Sequence, residues 1–219
     1  MKLKNKILFF SFAFLLVFTL GCKKDYRSIS ESSKKTFLEA KYAFVQGNFQ
    51  ASLKLLEQVL DENRYFLAGR IMKIKSLYYL NQLKEALEEV KVVEEFVEDN
   101  QTVDLWKSKI LDDLGQKEES KAILQKIVQD DPYNFRAHYE LAKMYQKEKD
   151  FKNAFLEYKE ALSIEPTLFN IRLELLAIYK ELKFEDKVKA MVEEMGKPYR
   201  EIAAGEMGKE KLKKILGEK

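Results

Sequence analysis

Few residues in this chain are equipped for chemistry. Cys22 is the only cysteine and His138 the only histidine among 219 residues. A lone thiol excludes an internal disulfide and a thiolate metal cluster. A lone imidazole leaves no His-based metal site and little material for a catalytic dyad. The single position of His138 within a helical pattern predicts a packing role. Carboxylates occur in adjacent pairs, Asp112-Asp113 and Asp130-Asp131. Both pairs fall near expected helix ends, where solvated turns and caps use them. The acidic run Glu88, Glu89, Glu94, Glu95, Glu98 and Asp99 reads as the solvent face of one helix. Gly-rich phosphate loops, HExxH and GxSxG are all absent from the sequence. The expectation is a protein that is not an enzyme, with no catalytic residue, no metal, no cofactor and no small-molecule substrate. What remains for Cys22 is the chemistry of a single nucleophilic sulfur, which can carry a covalent group.

The surroundings of Cys22 say which group. MKLKNK opens the chain with three lysines, and ILFFSFAFLLVFTL follows over residues 7–20. The basic start and short apolar run have the form of a secretory signal, and the run falls short of the roughly 20 residues of a membrane-spanning helix. Gly21 and Cys22 close it. This segment resembles the lipobox of bacterial lipoproteins, in which a small residue precedes a cysteine that is acylated on sulfur and becomes the mature N-terminus. The upstream positions, Thr19 and Leu20, fit that pattern more loosely. The resemblance implies a signal peptide over residues 1–21 and a lipidation site at Cys22 carrying diacylglycerol and palmitate-type acyl chains. It also implies a protein held on the periplasmic face of a bacterial membrane. Lys23, in place of an inner-membrane retention Asp, favours the outer membrane. Residues 22–33, including the Ser-rich stretch KKDYRSISESS, read as the lipidated cysteine and a flexible tether.

Removal of the signal also changes the charge. The chain has 39 basic and 36 acidic residues, and three of the lysines lie in the first six positions. The remainder is balanced, without the basic excess of a nucleic-acid binder.

The body of the chain is periodic. Pro132 and Pro166 are 34 residues apart, as are Gly47, Asn81 and Gly115. The columns Ser52, Ala86, Ser120, Ala154 and Leu56, Val90, Leu124, Tyr158 keep the same spacing, and so do Val59, Val93, Ile127, Ala161. With only 8 Gly and 3 Pro in the chain, the stretches between turns predict paired helices. The clearest copy is FRAHYELAKMYQKEKDFKNAFLEYKEALSIEP, residues 135–166. It resembles the tetratricopeptide repeat at Leu141, Ala142, Tyr145, Phe151, Ala154, Tyr158, Ala161 and Pro166, with His138 where the family often has Trp. Small residues let antiparallel helices approach, and the proline stops the second helix. The resemblance implies an all-α fold: a TPR-type solenoid of αα-hairpins, a right-handed superhelix, closed by a C-terminal capping helix.

The other copies keep register in their second helices and drift in their first. Thr36 and Glu39, Arg70 and Lys73, and Asp104 and Lys107 occupy positions expected to be apolar, which points to first helices rotated about their axes. After Pro166 comes a fifth first helix, and its partner EDKVKAMVEEM is slipped by about one residue. The expected organisation is a TPR domain over residues 34–196, with four repeats and a degenerate fifth. Lys197-Pro198 breaks the pattern, and residues 197–219 form the capping segment.

A solenoid of this family implies protein binding in its concave groove, lined by first helices. One groove column is Lys41, Lys75, Lys109 and Lys143, a ladder of positive charge suited to an acidic, extended protein or peptide. Phe37, Phe44, Tyr78 and Tyr139 stand in neighbouring columns as aromatic anchors. Trp106 reads as core. The family's clamp for C-terminal carboxylates has Asn where this column has Lys, so that mode is not expected. The functional expectation is a lipid-anchored interaction scaffold of the cell envelope, acting within an envelope assembly complex. The alternative is a surface-exposed lipoprotein that engages host or neighbour-cell molecules.

Overall fold

The computed structural model describes residues 28–166 and 168–202. The signal segment, Cys22 and residues 203–219 of the expected cap lie outside the described residues. Ten helices follow one another: α1 (Glu31–Val45), α2 (Phe49–Glu62), α3 (Leu67–Tyr79), α4 (Leu83–Glu94), α5 (Gln101–Asp113), α6 (Lys117–Asp130), α7 (Phe135–Lys147), α8 (Phe151–Ile164), α9 (Phe169–Glu181) and α10 (Glu185–Ile202). Among the described residues there is no strand.

Local signals set these boundaries. Side chains of Ser30, Asn48, Asn100, Asn134 and Asp150 accept hydrogen bonds from backbone N–H groups in the first turns of α1, α2, α5, α7 and α8. Each hairpin turn carries one left-handed residue, and these recur every 34 positions: Gly47, Asn81, Gly115, Lys149 and Lys183, with φ of 76°, 59°, 83°, 63° and 58°. Two glycines and an asparagine suit that backbone, and the two lysines bear its steric cost.

Each helix packs on the next, and the odd helices also touch across hairpins, α1 with α3, α3 with α5 and α5 with α7. They therefore form one continuous layer with the even helices outside it. The core column of the first helices is Ala40, Ile74, Ser108, Ala142 and Leu176, each 0% exposed. This corrects the expected rotation: all five first helices keep register. The polar residues in the drifted positions are met by charges on the facing helix. Arg70 and Lys73 both bind Glu89 of α4, at 2.5 and 2.9 Å. Lys107 binds Glu94 at 2.9 Å. Glu89 is thus a buried counter-ion rather than part of a solvent face, while Glu88 is exposed beside Lys91.

His138 sits in the same slot one hairpin pair later, facing Glu157 at 2.6 Å through Nδ1 and the Pro132 carbonyl at 3.1 Å through Nε2. Tyr158, fully buried, fills the next column and donates to Gln146 at 2.7 Å.

Both ends differ from expectation. Residues 28–33 do not behave as a tether. Ile29 is buried among Val59, Leu60 and Phe66. Ser30 caps α1, and the Glu62 carboxylate accepts from Ser30 N, Ser30 Oγ and Ser33 Oγ. A Ser-rich segment stays flexible only when its hydroxyls and amides lack such an acceptor. At the other end α10 continues through Lys197-Pro198 to Ile202. A proline removes one donor from the ladder, and the residues beyond it can remain helical. Met191 of α10 packs on the last core cluster, one residue from strict register.

Candidate interaction groove

The four lysines do lie on successive odd helices, but their environments differ. Glu140, on α7, sits between Lys109 at 3.3 Å and Lys143 at 3.0 Å and neutralises both. Lys41 is exposed and stands 6.0 Å from the Phe37 ring centroid. Lys75 is half-buried over Trp106 at 5.6 Å, and no carboxylate among the described residues lies within ion-pair distance of it. Burial pushes the Lys75 ammonium down from its ordinary pKa, and the Arg136 charge adds to the effect. The ladder is therefore uneven: its C-terminal rungs are balanced from within, and its N-terminal rungs are open.

The aromatic residues also divide. Phe37 meets Phe66 edge-on at 5.0 Å and belongs to the core beneath residues 28–30. Tyr139 packs on Tyr158 at 5.9 Å, and its hydroxyl is pushed up to about 12, first by burial and then by Glu174 and Glu140. Phe44 and Tyr78 join a band of rings that crosses three hairpins. Phe44 meets Phe49 at 5.2 Å and Tyr79 at 5.7 Å, and Phe49 stacks on Tyr79 at 4.9 Å. Tyr79 meets Tyr78 at 5.5 Å, and Tyr78 meets Trp106 at 5.4 Å. Tyr79 presents half its surface to solvent, and Lys109 lies 4.8 Å over Trp106. An aromatic surface flanked by cations favours partners that bring both apolar and acidic groups.

Trp106, Tyr79 and Arg136 were not among the sequence-based candidates. Trp106 stands three residues before Lys109, on the same helix face, and that spacing was a usable signal.

Two rungs tie the layer together. The Tyr78 hydroxyl donates to Asp113 at 2.6 Å, and Lys147 donates to Asp112 at 2.5 Å, each pair 35 residues apart. Asp112 and Asp113 are thus bridges between hairpins rather than solvated caps, because both point across to the neighbouring first helix. Burial and the Asp113 bond hold the Tyr78 hydroxyl well above its ordinary range. The cleft at these rungs measures ≈ 30 Å³, room for about one water. Asp131, by contrast, does accept within a turn, from Tyr133 N.

A larger hollow of ≈ 430 Å³ lies between α4 and α5, lined by Glu94, Glu98, Asp99, Asp104, Lys107 and Lys126 among others. Burial raises Asp104 there, while Lys126 and Lys107 oppose the rise. Among the described residues no group of three or more His, Cys, Asp or Glu could hold a metal ion, and no helix is long and apolar enough to cross a membrane.

Residues 105–134 and 135–168 match the family model of the tetratricopeptide repeat. No curated protein matches the chain. Among solved structures, a thermophilic TPR protein of Thermus thermophilus is similar, with a TM-score of 0.69 at 17% identity, over 84% of this chain and 97% of that one. MamA of Desulfovibrio magneticus gives 0.58 at 14%, over 87% and 96%. A tetratricopeptide repeat protein of Parabacteroides merdae gives 0.60 at 16%, over 86% and 75%. At these identities the likeness is one of fold. The 34-residue register, the matched pair of repeats and the shared solenoid agree: residues 105–168 are tetratricopeptide repeats, and the described chain has the solenoid fold of proteins built from them.

Proposed function

We propose that this protein is a non-catalytic scaffold of a bacterial cell envelope, anchored through lipid on Cys22 at the periplasmic face of the outer membrane. It grips an extended, acidic protein segment in the N-terminal half of its groove. The observation that carries the groove reading is Lys75, a half-buried cation on Trp106 with no carboxylate within ion-pair distance among the described residues. An incoming carboxylate restores the charge that burial disfavours, and the rings from Phe44 to Trp106 receive apolar side chains beside it. Lys109 and Lys143 contribute less, since Glu140 already satisfies them. The order of residues 1–22 supports the anchor.

Photo-crosslinking in cells from position 79, with the tagged full-length protein, tests the reading. One dominant envelope partner is expected. Lys75→Glu should abolish its capture, and Lys143→Glu should leave most of it. Equal capture by both variants, at unchanged helicity, would show that the groove charge plays no part. Cys22→Ser should release the protein from the membrane fraction.

A further inference from the structure

Among the described residues no helix packs on the outward face of α1. Leu38, Tyr42 and Val45 are 62%, 69% and 78% exposed, and their spacing places them in one stripe. Lys34 and Lys41 flank the stripe on one side and Lys35 on the other; Glu31, at the N-terminal end of the stripe, pairs with Lys34 at 2.5 Å, and Glu39 is the helix's other acid. The opposite face is buried through Ala40. An apolar stripe edged by lysines is the pattern of a helix that lies in a membrane interface, where the lysine stems cover apolar surface and their ammonium groups reach the headgroups.

The start of the folded part puts this face near the anchor. Asn63 donates to the Ser28 carbonyl at 2.7 Å, Ile29 is buried, and Glu62 holds Ser30. Ser28 lies six residues after Cys22, a reach of at most ~20 Å. Its charged residues are Lys23, Lys24, Asp25 and Arg27, so the whole approach to α1 is basic.

We propose that the exposed face of α1 docks on the anionic surface of the bilayer that carries the lipid, so that the solenoid rises from the membrane α1 first. This rests on the lipid anchor proposed above. A second copy of the chain is a poorer occupant: three side chains fall far short of the ~1,000 Å² of a stable interface, and the flanking lysines would repel their equals.

The full-length lipidated protein is reconstituted into phosphatidylcholine vesicles containing phosphatidylglycerol and bromine-labelled acyl chains. Acylation blocks Cys22, so Tyr42→Cys, or Tyr133→Cys as a control, takes a single fluorophore. Tyr133 is 79% exposed and lies two hairpins away. The label at position 42 should be quenched several-fold more than at 133. Combined reversal of Lys34, Lys35 and Lys41 to Glu should bring it to the control level while the protein still floats with the vesicles. Equal quenching at both positions, with flotation intact, overturns the docking and leaves the anchor standing. Failure to float overturns both. Crosslinking between position-42 labels without bromine quenching assigns the face to a second copy and also overturns the proposal.

Discussion

The buried carboxylate of Glu89 offers the sharpest test of how this solenoid tolerates polar residues in its core columns. Glu89 is 6% exposed, and its two oxygens face Arg70 and Lys73, whose side chains are 11% and 22% exposed. Glu89→Ala leaves two cations inside a helix pair without their counter-charge. Removing one partner of a buried ion pair costs about 3–5 kcal/mol. Lys73 is exposed enough to swing toward water, and the Arg70 Nε keeps its bond to the Arg64 carbonyl at 2.8 Å. The low end, about 3 kcal/mol, is therefore expected. Against a total stability of roughly 5–15 kcal/mol this is a large loss. Urea unfolding followed by circular dichroism, alongside fluorescence of the sole tryptophan, Trp106, measures it. Trp106 packs against the cluster that contains Ile74 and Val90, so it reports the affected hairpin directly. The triple variant Arg70→Met/Lys73→Leu/Glu89→Leu should recover most of the stability, because a packed apolar set dispenses with desolvated charge altogether. A loss below about 1 kcal/mol for Glu89→Ala would refute the reasoning, since that is the worth of an exposed pair.

Lys149→Gly should stabilise the fourth hairpin by about 1 kcal/mol, because a left-handed residue at φ 63° gains from losing its Cβ; a shift in urea midpoint at unchanged slope would confirm it. Alkaline titration should show tyrosines that ionise late. Tyr78, Tyr139 and Tyr158 are all raised, burial first among the causes. A raised acid stabilises the fold below its unfolded pKa, about 10 for tyrosine, and stability should fall as pH climbs beyond it; Tyr158→Phe should blunt that fall. Hydrogen bonds from Ser33 and Ser30 lower Glu62. Its clamp on residues 28–33 should hold above the ordinary carboxylate pKa and release as pH drops through the lowered value. Amide exchange at Ile29 and Ser30 reads this release, and Glu62→Gln should mimic it at neutral pH.

The repeat was legible because its packing columns demand small or apolar residues at fixed spacing, and Ser52, Ala86, Ser120 and Ala154 announce it. The register of the drifted first helices was not, since Arg70 and Lys73 look like surface residues until Glu89, on another helix, is seen to face them. The 34-residue spacing gave the lysine column its positions on successive odd helices, but not the pairing of its rungs. Glu140 lies three residues from Lys143 in sequence, yet its bond to Lys109 depends on the stacking of α5 on α7. The meeting of Tyr79 with Trp106 escaped for a similar reason: it is a product of two hairpins. The clamp at residues 28–30 was hidden because composition describes a segment, while Glu62 and Asn63, which hold it, lie some thirty residues away.

Among the described residues the principal helix contacts join elements at most two apart along the chain. Such low contact order means that no distant loop has to close before native interactions begin. A chain delivered from its N-terminus, by a ribosome or through an export channel, can complete α1 and α2 and bury Val59 and Leu60 while the last hairpin has yet to emerge. Each later hairpin then finds a finished template instead of an open search. Such a topology permits vectorial folding, in which the exposed α1 face forms before any groove exists to bind a partner.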